Sequence, residues 1–164
     1  MIYVAVIGPG DADRETEETA FEIGTDLARA GAVLVCGGLG GAMEAACRGA
    51  RRAGGRTLGV LPGSSRDEAN PFVDLAVATG MGEARNVIVV RTADALIAVG
   101  AGYGTLSEIA FGLKLGKPVI GLRTWAASGP RGPAGIVEAS SAEEAVATAL
   151  RLAGEPAGQP RPAT

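Results

Sequence analysis

Glu108, Thr105 and the glycines at 100, 102 and 104 are spaced to hold an anion beside a carboxylate. The stretch Gly100-Ala101-Gly102-Tyr103-Gly104-Thr105-Leu106-Ser107-Glu108 follows an apolar run, Ala95 to Val99, and leads into a helical pattern. Glycines let a backbone approach an anion closely, and the unpaired N–H groups and positive dipole end of a following helix supply donors and favourable charge. This predicts a phosphate cradle. The same residues fit a capping box, with Thr105 capping the helix and Glu108 bonding back to its start. Alone, the stretch serves both readings.

Absences narrow the chemistry. The chain has no histidine, which excludes a Ser-His-Asp triad, a histidine base and a histidine-ligated metal; no metal site is expected. Its only lysines, Lys114 and Lys117, fall between a helix end and a strand start, on the edge away from the glycine turns. A Schiff-base mechanism, and with it lysine decarboxylation, finds no support. Arginines and carboxylates remain as catalytic groups. Cys36 and Cys47 lie in no CxxC or zinc-ligand pattern and read as small buried residues, which suits a reducing cytoplasm.

Composition bounds the partners. The 164 residues are 47% hydrophobic with a formal net charge of −3, which fits a globular chain and argues against a nucleic-acid partner. The densest basic run, Arg48 to Arg52, reads as a solvated helix face. Met1 to Ile7 lacks a basic leader and ends at Gly8-Pro9-Gly10, so it reads as a first strand and not a signal peptide. No run approaches the ~20 apolar residues of a membrane span, and no membrane partner is expected.

The elements that must position these residues follow from alternating apolar runs and helical patterns, which predict an α/β fold with a mainly parallel sheet flanked by helices. Strands are expected at 2–7, 33–36, 57–61, 75–78, 95–99 and 119–122. A first helix starts near Asp13 and stops at Gly31; others are expected over 43–53, 106–115 and, capped by Ser140 or Ser141, through Ala153. Residues 83–93 carry strand-forming Val87-Ile88-Val89-Val90, yet parallel neighbours need a crossover, so a helix is expected there. Thr124 to Gly135 reads as a turn-rich loop. The chain from 1 to 153 is expected to form one domain, and the Pro- and Gly-rich 154–164 a disordered tail.

This arrangement gathers Gly8-Pro9-Gly10, Gly37 to Gly41, Pro62 to Ser65, Thr79 to Gly82 and Gly100 to Gly104 on one sheet edge, where open α/β sheets bind ligands. Gly37 to Gly41 follows the second strand and lacks GxGxxG spacing, so a dinucleotide oxidoreductase is rejected.

Four blocks in order, 36–44 (CGGLGGAME), 55–62 (GRTLGVLP), 79–86 (TGMGEARN) and 102–108 (GYGTLSE), resemble the Lonely-guy superfamily of Rossmann-like proteins. The Gly-Met-Gly-Glu-Ala-Arg-Asn stretch is most similar to its branch of molybdenum-cofactor carriers. The resemblance implies a pocket for a phosphorylated small molecule, a nucleoside monophosphate or a molybdenum cofactor or pterin phosphate, with no cofactor required, usually in a homo-oligomer (dimer or tetramer). On this reading Gly8, Gly37, Gly38, Gly40, Gly41, Met43, Arg85, Asn86, Gly102, Tyr103, Gly104, Thr105 and Glu108 form the ligand site. Enzymes of the superfamily cleave the base–ribose bond of nucleoside monophosphates with an arginine and a glutamate; Arg85 and Glu108 match these two. Asn86 stands where the enzymes have lysine, and Gly100-Ala101 where their motif opens Pro-Gly. Binding is therefore the first expectation, and hydrolysis by Arg85 and Glu108 the alternative.

Overall fold

The computed structural model describes residues 1–155; of the tail expected to be disordered, residues 156–164 lie outside the described residues. Six strands occupy the expected places: β1 (Tyr3–Ile7), β2 (Val33–Cys36), β3 (Arg56–Leu61), β4 (Leu75–Ala78), β5 (Ala95–Val99) and β6 (Val119–Leu122). Between and after them run α1 (Arg14–Arg29), α2 (Ala42–Arg52), α3 (Asn86–Thr92), α4 (Tyr103–Lys114) and α5 (Ala142–Ala153). Among the described residues no helix is long and apolar enough to cross a membrane.

Alternation along the strands builds two core layers. Val4 and Val6 pack with Leu34, Ile97 and Val99 against α1, α2 and α5 through Ile23, Leu27, Ala46 and Val146. Ala5 and Ile7 point the other way, joining Val35, Leu96 and Ala98 against Val89, Val90 and Ile109 of α3 and α4. Strands covered on both faces need not alternate polar with apolar, which is why they read as unbroken apolar runs. The same layer explains α3: its β-branched residues favour a strand, but burying Val89 and Val90 under the sheet overrides that propensity.

The loop expected over 124–135 holds a small antiparallel hairpin, β7 (Ser128–Gly129) with β8 (Gly132–Pro133), and is followed by β9 (Val137–Glu138), a seventh strand parallel to β6. Two residues are too short to show a period. Sheet order is β4-β3-β2-β1-β5-β6-β9, parallel throughout. The chain winds outward from β1 to β4, then returns to the other side of β1 with β5. That reversal opens a crevice beyond Ile7 and Val99, where the turns 8–10 and 100–104 begin.

The helix after β5 corrects one expectation. It starts at Tyr103 with Gly102 as its N-cap and has no side-chain cap, so Thr105 and Glu108 form no capping box. Both side chains are left for the crevice.

Candidate active site

The floor of the crevice is Pro9. Its carbonyl accepts from the Ala42 N–H at 3.1 Å, closing the start of α2. A Cβ at Gly41 would stand 2.5 Å from that carbonyl oxygen, and Gly41 has φ +61, so only glycine fits this approach. On its other side, the Pro9 ring lies 3.1 Å from where a Cβ at Gly100 would be and 3.4 Å from that at Gly102. One proline thus separates the two glycine turns.

The start of α4 forms one wall. The Gly102 carbonyl accepts from Leu106 N–H and from the Trp125 indole Nε1 at 2.9 Å, while Thr124 Oγ1 donates to the Gly100 carbonyl at 2.6 Å. Thr105 is 2% exposed and its Oγ1 has no hydrogen-bond partner. Tyr103 is 83% exposed, and its ring lies beside that of Trp125.

Glu108 follows one turn after Thr105 on α4, and Arg85 faces it from the other side. Arg85 ends a short 3₁₀ turn, Gly82–Arg85, that leads into α3. It is 7% exposed and Glu108 6%. Their nearest polar atoms, Nη1 and Oε1, are 4.0 Å apart, an ion pair without a direct hydrogen bond. Arg85 Nη1 bonds Asn86 Oδ1, Nη2 donates to the Gly37 carbonyl at 3.4 Å, and Nε has no partner. A Cβ at Gly37 would fall 2.5 Å from Nη2 and 2.8 Å from Met43 Sδ; any side chain there displaces the guanidinium.

Burial pushes the Glu108 carboxyl up to about 7, against the opposing pull of Arg85. Burial likewise draws Arg85 down while Glu108 holds it up. Desolvation exceeds attraction for the carboxyl because no hydrogen bond replaces its lost water. Behind the pair, Asn86 Nδ2 donates to Ser107 Oγ at 3.1 Å and Ser107 donates to the Gly104 carbonyl at 2.7 Å. The guanidinium is thereby linked to the first turn of α4.

Arg85 therefore lies with Asn86, Gly37, Met43 and Glu108, Ser107 ties Asn86 to the Gly104 carbonyl, and Thr105 Oγ1 lies 3.6 Å from where a Cβ at Gly102 would be. Gly8 supports them from below, its absent side chain making room for Ala42 Cβ and the Val99 carbonyl. Gly40 and Gly41 pack against Gly10. Gly38 is engaged elsewhere: its N–H donates to Cys36 Sγ, and its carbonyl accepts from the Asn70 backbone at 2.9 Å. Cys36 and Cys47 are buried and free, their sulfurs 3.5 Å apart.

Three supporting residues escape a reading of the sequence. Asn70 clamps the 37–41 turn through Gly38 and Leu39. Ser107 carries the link to Gly104, and Trp125 holds Gly102. Each acts across at least 21 residues of chain except Ser107 on Gly104; the serine inside the 102–108 block was the one available signal.

The model of the SLOG cluster4 family matches residues 1–151. The chain belongs to this family. A solved SLOG-like relative, the molybdenum cofactor binding protein of the phototrophic bacterium Rippkaea orientalis, is 36% identical with a TM-score of 0.83, over 92% of this chain and 96% of that one. The molybdenum cofactor carrier protein of Chlamydomonas reinhardtii is 34% identical with a TM-score of 0.81, over 94% and 99%. An uncharacterized protein of Archaeoglobus fulgidus is 50% identical over 123 residues, 75% of this chain and 81% of its own. The solved structures agree with the branch that the sequence resembles, and the broader Lonely-guy superfamily is consistent with this SLOG assignment.

Proposed function

We propose that this SLOG cluster4 protein binds a phosphorylated small molecule, a nucleotide or a molybdenum cofactor or pterin phosphate, and carries it without transforming it. The observation that supports this most is a pair of orphaned buried donors, Arg85 Nε and Thr105 Oγ1, on the walls of a crevice that also holds an uncapped helix start. Unsatisfied buried polar atoms are costly. Phosphate oxygens would supply the acceptors these donors lack, with the free N–H groups of α4 supplying further donors. Names borne by the carriers from Rippkaea and Chlamydomonas support a cofactor as the cargo.

Calorimetric titration with inorganic phosphate, GMP and ribose 5-phosphate tests the cradle. Arg85→Gln should weaken each by about 10- to 100-fold, the loss of a charge-assisted bond. Unchanged affinity in that variant would remove Arg85 from the site. The homo-oligomer, dimer or tetramer, belongs to the same proposal and is measured by light scattering. Leu75 and Val77, exposed on the edge strand β4, are apolar side chains such an assembly would cover.

One observation favours a second reading. Glu108, held at about 7 beside Arg85, suits general acid–base work near neutrality. In a phosphoribohydrolase, water would add to C1′ as the N-glycosidic bond breaks, giving free base and ribose 5-phosphate. A panel of nucleoside 5′-monophosphates assayed for released base decides between carriage and hydrolysis.

A further inference from the structure

Between β6 and α5 the chain detours through residues 123–139, and this detour encloses a cavity of about 310 Å³. Arg123 opens it with φ +51, a left-handed conformation that a non-glycine residue keeps only when its surroundings hold it. They do: Arg123 pairs with Glu15 and bonds Thr19 Oγ1 on α1. The lining includes Trp125, Pro133 and Ile136, together with one cation, Arg123, and one carboxylate, Glu138.

Trp125 belongs to this cavity and to the anion cradle at once. Its indole N–H holds the Gly102 carbonyl at the start of α4, and its ring lies 5.7 Å from that of Tyr103, tilted by 37°. The volume stands at the small end of ligand sites and has room for a fused planar ring. An aromatic face, aliphatic walls and the Glu138 carboxylate complement a flat heterocycle with donor edges, the Arg123 guanidinium being engaged by Glu15 and Thr19.

We infer that this cavity takes the planar ring of the ligand, stacked on Trp125, while the ligand's phosphate sits at the start of α4. The inference rests on the phosphate reading above and adds a specificity-determining residue to it. Phosphate fixes where the ligand sits; Trp125 selects for a flat ring.

Trp125 is the single tryptophan of the chain, so tryptophan emission reports on this cavity and on the start of α4 that the indole holds. Wild-type protein is titrated with GMP and with ribose 5-phosphate, following both heat and fluorescence. Both should bind, GMP more tightly, and GMP should change the emission well beyond what ribose 5-phosphate does. Trp125→Leu, which also frees the Gly102 carbonyl, should weaken GMP about tenfold more than ribose 5-phosphate, and Trp125→Phe, which frees that carbonyl too but keeps a ring, should restore most of this difference. If GMP binds no tighter than ribose 5-phosphate or changes the emission no more than that probe does, the cradle stands and the ring site falls. Equal weakening of both probes by Trp125→Leu overturns it too, since the indole then only holds Gly102. If neither probe binds wild type, the phosphate reading itself fails and takes the ring site with it.

Discussion

Helices α2 and α4 both begin at a glycine and neither has a side-chain cap, yet they are finished differently. At α2 the first N–H is taken by the Pro9 carbonyl at 3.1 Å, and Gly41 is pressed against the 8–10 turn. The start of α4 has no such neighbour in front of it, and a buried threonine hydroxyl beside it lacks a partner. By contrast α1 and α5 are capped by Asp13 and Ser141. A glycine before a helix thus has two settings: at 41 it lets two pieces of backbone touch, and at 102 it precedes a helix start that meets no backbone carbonyl among the described residues. The difference lies in what faces the helix and not in the glycine.

Substitution at the two turns should break the comparison most sharply. Gly41→Ala forces a side chain into left-handed backbone and into the Pro9 carbonyl, and should cost about 3 kcal/mol of stability in urea unfolding. Gly104→Ala, whose Cβ would meet nothing nearer than Asn86 Nδ2 at 3.9 Å, should change stability by less than about 1 kcal/mol. Similar losses at both positions would mean that α4 is closed in the same way as α2.

The next effect concerns the carboxyl on the open wall. Folding raises Glu108 from 4.5 to about 7, so the folded chain keeps a proton that the unfolded chain releases. Its contribution is full below pH 4.5 and is lost as pH rises to about 7. Glu108→Gln should flatten that fall in a series of unfolding curves between these limits; an unchanged slope would place the titration elsewhere. The smallest effect is expected from Thr105→Val. Removing an unpartnered buried hydroxyl should leave the free protein as stable or up to about 1 kcal/mol more stable, while weakening phosphate binding several-fold. A clear loss of stability would show that the hydroxyl is already used, and would make α4 resemble α2 after all.

Much of this was legible in the residues. Apolar runs gave six strands their places, the inner ones because both sheet faces are covered there; the edge strand β4 is apolar although Leu75 and Val77 are exposed. Asp13 and Gly31 bracketed α1, and the crossover rule settled α3 against the propensity of Val87 to Val90. Arg85 and Glu108 were chosen by resemblance and do lie on one crevice. The start of α4 was not legible, because Thr105 to Glu108 satisfy a local capping pattern while the contact that competes with it, Trp125 on Gly102, comes from 23 residues away. The same distance hid the Asn70 clamp. The cavity beneath 123–139 depends on a two-residue strand and on Arg123 reaching α1, and neither leaves a period in the sequence.

Pro9, which separates the two glycine turns, also sets how a cargo would be handed on. Its carbonyl is fixed to α2 and its ring abuts Gly100 and Gly102, so the turns cannot spread without losing both contacts. A crevice of fixed width spends little ordering entropy when it is filled, but it also has no jaw to open when the cargo must leave. On the proposed reading, transfer from such a site would proceed by exchange with a receiver that competes for the exposed part of the molecule, and the receiver would set the moment of delivery.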